Sequence, residues 1–276
     1  PAADVIMDGN VISGVVIATP MGMKAIKGKI IVDATGDGTV SYMAGAPYEI
    51  GRESDGLVQP VSLMFVLGGV EEDAIYCEGV HPDVKVPAGD FVELCKKACS
   101  AGELPENVDT LRIYHTGNKT ERMINATQVN FVNPLSVKSI SDCEANVRKQ
   151  IEKVHNFLKA YAPGYEKSYI KGSSTTIGVR ESRRITGEYV LQDEDVETGR
   201  KFEDVVVHSA NFLLDIHNPS GGGQAEGEAK RVRAYDIPLR CFIPKKVENL
   251  FVTGRAISGT HRAHSSYRVM NICMPM

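Results

Sequence analysis

The chain has 276 residues, 42% hydrophobic and 24% charged, a composition that excludes intrinsic disorder and leaves room for about two domains. Lys and Arg total 31 against 35 Asp and Glu, and a formal charge of -4 argues against holding nucleic acid by bulk electrostatics. No run approaches the roughly 18 apolar residues of a membrane span, and six scattered cysteines point to a reduced, cytoplasmic protein rather than a disulfide scaffold.

Residues 1–40 read as strands. Val11 to Thr19 and Lys29 to Ala34 are rich in β-branched residues, and Asp8-Gly9-Asn10 is a turn signal before the first run. The second run ends in Ala34-Thr35-Gly36-Asp37-Gly38, after which Ser41 to Ala46 fits a short helical turn. From about residue 47 to 245 the texture changes. Val61 to Val70 reads as a buried strand, Asp90 to Ala101 as a helix, and Ser141 to Ala160 as the clearest helix, with Ser141 and Asp142 available to cap it. Ala162-Pro163-Gly164 stops that helix, and His217 to Gly223 is a loop. Glu248 to Thr253 then reads as a short buried strand closed by Gly254-Arg255.

This order suggests an α/β domain split by an α+β insertion: 1–46 and 246–276 as the two pieces, 47–245 between them. The ends are those expected of a piece of something longer. Pro1-Ala2-Ala3-Asp4 has neither an initiator Met nor a signal-type run, and Arg268 to Met276 has no cap or polar tail.

Three motifs carry chemistry. Small residues in Ala34–Gly38 let a backbone approach a ligand, although such turns are often only turns. Gly178-Val179-Arg180-Glu181-Ser182-Arg183-Arg184-Ile185 places three guanidiniums within five residues, either to grip carboxylate or phosphate or to pair with neighbours on an exposed strand. Strand alternation would put Arg180, Ser182 and Arg184 on one face and Glu181 and Arg183 on the other. His261 to Arg268 gathers two His, two Arg, a Tyr and two Ser. No nearby Asp, Glu or Cys completes a metal set, so a loop lining a polar pocket is the better reading. Cys95 and Cys99, four apart, read as half-buried thiols. No G-x-S-x-G, Walker or H-E-x-x-H sequence occurs.

In their order these motifs resemble the broad family of FAD-dependent oxidoreductases related to succinate dehydrogenase and fumarate reductase flavoproteins. The match rests on Val32 to Gly38 with Ala44-Gly45-Ala46-Pro47-Tyr48, Gln59 to Phe65, Asn125-Ala126-Thr127, Pro163-Gly164-Tyr165-Glu166, Gly178 to Ile185, Tyr235-Asp236-Ile237-Pro238, Asn249 to Arg255 and Arg268-Val269-Met270. The resemblance implies a partial FAD-binding, Rossmann-like domain with a large inserted substrate or cap domain, and FAD as cofactor. It also implies a strand with G-x-G-x-x-G before Pro1 and a helix running past Met276. Without that turn, which holds the cofactor's diphosphate, these 276 residues are expected to bind FAD weakly.

Carried over, Thr35, Gly36 and Asp37 would pass the ribityl-phosphate side of the flavin, and Gly254 and Arg255 would end the second flavin strand. Arg268, Val269, Met270 and Asn271 would begin the helix facing the ring's pyrimidine edge. His261 and His264 would handle protons, and Arg180, Arg183 and Arg184 would orient an anionic substrate or brace the domain interface. Arg180 and His261 head that set. The expected reaction is hydride transfer to or from a small organic substrate, anionic or polyhydroxylated, with no metal, nucleic acid or membrane involved. Self-association, or assembly with the N-terminal part the resemblance implies, stays open. The competing expectation is a non-catalytic ligand-binding or assembly module on the same architecture. A carbohydrate-active hydrolase would need a carboxylate pair, and none stands out.

Overall fold

The computed structural model describes residues 1–77 and 83–276. From the N-terminus run β1 (Ala2–Asp8), β2 (Val11–Thr19), β3 (Gly22–Ile26), β4 (Ile31–Asp33), α1 (Thr39–Met43) and β5 (Tyr48–Ile50). Next come β6 (Phe65–Gly68), β7 (Lys85–Val86), β8 (Gly89–Asp90), α2 (Phe91–Ser100), β9 (Arg112–His115) and β10 (Arg122–Asn125). The long α3 (Val137–Tyr161) precedes β11 (Tyr169–Ser173), β12 (Arg183–Ile185), α4 (Asp193–Thr198) and β13 (Val205–Ala210). The chain closes with β14 (Tyr235–Pro238), β15 (Leu250–Val252), α5 (His261–Tyr267) and α6 (Met270–Cys273). Helices and several small sheets together make mixed α/β content. No helix among the described residues is long and apolar enough to cross a membrane.

The chain divides into two compact units. One comprises residues 1–56, 181–216 and 228–276; the other comprises 57–180 and 217–227. The terminal segments thus pack with 181–216 and 228–245 as well, whereas composition alone placed the boundaries at 47 and 245. The reason lies in burial: Ile185, Leu191, Val207, Tyr235 and Ile237 share one apolar core with Ile12, Val40, Leu250 and Val252.

The first unit holds the antiparallel sheet β1-β2-β3, with the Asp8–Asn10 turn closing the first hairpin, and three strand pairs: β5–β12, β13–β14 and β4–β15. Only β4–β15 is parallel, in the register Ile31↔Leu250, Val32↔Phe251, Asp33↔Val252. Asn249 locks the start of this pair. Its side chain accepts the Ile12 N–H at 2.9 Å and donates to the carbonyls of Ile12 and Lys29 at 2.9 and 3.2 Å.

In the second unit the sheet runs β11-β6-β10-β9. Asp90 caps α2 by accepting the Glu93 N–H at 3.0 Å, as its sequence implies. α3 begins earlier than the Ser141–Asp142 reading. Ser136 is its cap and accepts the Ser139 N–H, so Ser141 and Asp142 lie inside the helix. Its buried stripe of Val147, Ile151, Val154, Phe157 and Leu158 is the one the spacing predicts. Only Phe65–Gly68 of the 61–70 run is strand, with Val61 and Ser62 making isolated bridges to Val129 and Gly178.

Asn249→Ala strands the buried groups it serves and is expected to lower stability by about 3 kcal/mol, read as a lower urea midpoint.

Candidate functional site

The site grows from two carboxylates in the turn after β4. Asp33 is buried at the strand end, and each of its oxygens takes two hydrogen bonds. Oδ1 accepts from the Thr35 N–H (3.0 Å) and Thr35 Oγ1 (2.7 Å); Oδ2 accepts from the Ser41 N–H and Oγ (both 2.7 Å). Thr35 Oγ1 in turn accepts the Thr39 N–H at 2.8 Å, which ties the turn to α1. Asp37 faces the other way. Its Oδ1 accepts from Ser182 Oγ and from Arg255 Nη2, each at 2.6 Å, and its carbonyl accepts from Arg183 Nη1 at 3.1 Å.

These contacts bring together residues more than 200 positions apart. Thr35–Gly38 and Gly254–Arg255 lie at the C-terminal ends of the two parallel strands, the edge where open α/β sheets bind ligands. Gly36 sits at φ +81°, and a Cβ there would come within 2.8 Å of Arg255 Nη1. Gly254, at φ +74°, meets open space instead: nothing lies within 4 Å of where its Cβ would stand.

The run 181–184 does not alternate as a strand, because β12 starts only at Arg183. Glu181 and Arg184 meet each other, while Ser182 and Arg183 both reach Asp37. Arg184 is buried and spends every nitrogen: Nη1 on Glu181, Nε on the Gly259 carbonyl (3.0 Å), Nη2 on the Gly51 carbonyl (2.9 Å). Arg183 lies 4.2 Å above the Tyr42 ring, a cation–π contact. Arg180 belongs to the second unit, where its Nη1 donates to the Pro60 carbonyl.

His261 to Tyr267 form a helix rather than the loop their polarity suggested. Thr260 caps α5 by accepting the Ala263 N–H at 3.1 Å, and five consecutive residues from Ala263 to Tyr267 are buried, so packing overrides composition. His261 Nδ1 lies 2.8 Å from Glu181 Oε1, and its Nε2 is buried with no hydrogen-bond partner. His264 is fully buried, both ring nitrogens lack a partner, and it meets Tyr267 edge-on at 5.3 Å. Burial, then the charges of Arg184, Arg268, His261 and Arg255, push its pKa well below the usual range. His264 therefore stays neutral and is a weaker candidate for moving protons than the sequence reading made it.

Arg268 donates to Asp215 through its carbonyl (2.9 Å) and carboxylate (3.2 Å). Val269 holds the N-cap position of α6, a helix of four residues, and Met270 and Asn271 are exposed. Sequence reasoning missed Asp33 as the organiser of the glycine turn and Glu181 as the hub between Arg184 and His261. Adjacency to the motifs was the one signal available for either. Among the described residues no group of three or more His, Cys, Asp or Glu could hold a metal, and Cys95, Cys99, Cys143, Cys241 and Cys273 are free thiols. Burial lifts the Cys95 thiol to about 12, which leaves it inert at neutral pH.

The unfolded chain protonates His264 near 6.5, the folded one only at much lower pH. The unfolded state thus binds more protons as pH falls, and stability drops from about pH 6.5 downward. In His264→Leu that contribution is gone, so unfolding by urea at pH 7.5 and at pH 5 should show a smaller acid loss than in the wild type. Equal losses would remove His264 as the source.

The donor set fits a flavin nucleotide: open space at Gly254, a buried Arg255 Nε without a partner, and three partnerless imidazole nitrogens. No curated protein and no solved structure matches the chain. The family described as FAD dependent oxidoreductase matches over residues 1–276, and the chain belongs to that family, whose cofactor is FAD.

Proposed function

We propose that the protein transfers a hydride between a small organic substrate, anionic or polyhydroxylated, and FAD. The observation that carries this is the cluster around His261: partnerless imidazole nitrogens beside a buried Glu181–Arg184 pair, in the unit whose glycine turns close the parallel strands. When bound, FAD supplies the two-electron redox chemistry. The protein's part is placement and charge. Thr35, Gly36, Asp37, Gly254 and Arg255 would hold the cofactor at the ends of β4 and β15, and Arg268, Val269, Met270 and Asn271 would do so at the start of α6.

The Asp37 carboxylate is balanced by Arg255, so it presents little net charge to a nearby phosphate. His261 would exchange the proton that accompanies hydride transfer. Arg184 holds the histidine's partner in place, and neutral His264 adds a polar, uncharged wall. Arg180 has no role in this reading. The β4–β15 pair supports a Rossmann-like frame, and the scattered cysteines support a reduced, cytoplasmic setting.

No G-x-G-x-x-G occurs within the 276 residues, so on their own they would hold FAD weakly, and tests require added FAD. The expected outcome is a yellow protein, bleached by dithionite and restored by air, and reduced in stopped flow by a member of a panel of hydroxy acids, sugars and polyols. His261→Ala should slow that reduction about a hundredfold. Undiminished turnover in this variant would remove His261 from the chemistry.

A further inference from the structure

Five guanidiniums near the glycine turns and α5 have internal partners, although Nε of Arg183, Arg255 and Arg268 is buried without one. Arg184 is bound to Glu181 and two carbonyls, Arg183 to the Asp37 carbonyl and the Tyr42 face, and Arg255 to the Asp37 carboxylate. Arg268 is bound to Asp215 and Arg262 to Glu197. A substrate carboxylate would meet Arg184, Arg255, Arg262 and Arg268 already charge-balanced by internal carboxylates. Beside them the site offers a hydrogen-bond acceptor. An ionised carboxylate only accepts, so the proton in the contact between Glu181 Oε1 and His261 Nδ1 is on the imidazole. In the neutral ring this leaves Nε2 with its lone pair, buried and meeting no protein donor.

We infer that the site takes a neutral, hydroxyl-bearing substrate whose O–H proton passes to His261 Nε2, with Glu181 as the residue that positions the ring. This rests on the flavin-redox reading above and narrows its substrate class. The substrate C–H bond breaks with its electron pair passing to FAD, the O–H bond breaks with its proton passing to Nε2, and the carbon–oxygen single bond becomes a carbonyl. The alcohol is oxidised by two electrons, and charge and atoms balance with FAD as the oxidant. Arg184 acts at one remove, by holding Glu181. The charged and titratable groups facing the ring are Glu181, which pairs with it, and His264, which in turn faces Arg184, Arg255 and Arg268.

The first test needs no cofactor. Nitrogen-15 NMR of the His261 ring, assigned by loss of its signals in His261→Phe, should show a protonated Nδ1 and a bare Nε2. Glu181→Gln should mix the tautomers, and an Nε2-protonated ring in the wild type overturns the inference. The second test uses protein saturated with FAD and a panel of neutral polyols (sorbitol, inositol, glucose) against succinate and malate. Neutral polyols should reduce the flavin. Glu181→Gln should cut the limiting rate a hundredfold or more with little change in KM and displace the acid limb of the pH profile, and Glu181→Asp should restore part of the rate. A flavin that cycles with dithionite and air but is reduced only by the carboxylates overturns this inference and leaves the redox reading standing. A flavin that does not cycle overturns the redox reading itself. Should Glu181→Gln fail to fold, the wild-type tautomer and the Glu181→Asp profile decide the matter.

Discussion

The Glu181 carboxylate has no exposed surface, and the arrangement of the first unit follows from how its charge is met. Taking a carboxylate out of water costs several kcal/mol, which its partners must offset at close range. Arg184 does so, and its two remaining bonds go to the carbonyls of Gly51 and Gly259. One buried ion pair therefore fixes three segments that are remote in sequence, around residues 51, 181–184 and 259. Replacing such a pair with hydrocarbon can leave stability unchanged, whereas removing one partner strands the other at a cost of about 3–5 kcal/mol. Its value lies in geometry. The segment after Gly259 is the N-terminus of α5, so the pair that closes the core also sets where His261 starts.

A second layer of the same logic operates at the glycine turn. Asp33 presents both oxygens to four donors, which bends the chain from β4 into α1 and fixes the backbone of 34–38. Asp37, on the far side of that turn, collects Ser182 and Arg255 and its carbonyl collects Arg183. The two halves of the site thus share residues: 182 and 183 contact the turn, while 181 contacts α5 and 184 the Gly259 carbonyl just before it. Four consecutive residues couple the end of a strand near the N-terminus to a helix near the C-terminus.

How much of this was legible in the sequence depended on whether local rules were enough. Val11–Thr19, the cap and body of α2 and the apolar stripe of α3 follow from β-branching, capping and helical period, and all three stand in the structure. The start of α3 did not, because Ser136 and Ser141 are equally good caps by composition and the choice rests on where the chain enters. The polar run 261–267 read as a loop since hydroxyls and imidazoles favour turns in isolation; burying Ala263 through Tyr267 reversed that preference. His261, Arg184, Gly36 and Arg255, named from separate motifs, fall in one unit of the structure. Their wiring was not legible: that Glu181 meets His261, or that Ser182 and Arg183 serve Asp37, depends on contacts across 80 to 146 positions.

The wiring also explains why imidazoles are left without partners in so well-bonded a surrounding. Buried polar atoms lacking a hydrogen bond are rare in folded proteins because each carries a desolvation penalty of about 1–3 kcal/mol. His261 Nε2 and both nitrogens of His264 carry that penalty side by side, while every nearby carboxylate is satisfied. A fold under selection for stability alone would place an apolar ring at 264, where neither imidazole nitrogen meets a protein partner. An unmet acceptor at His261 Nε2, beside cations paired with internal carboxylates, suits a partner that arrives as an uncharged donor. A hydroxyl supplies the missing hydrogen bond without bringing a charge that the surrounding pairs would have to rearrange to accept.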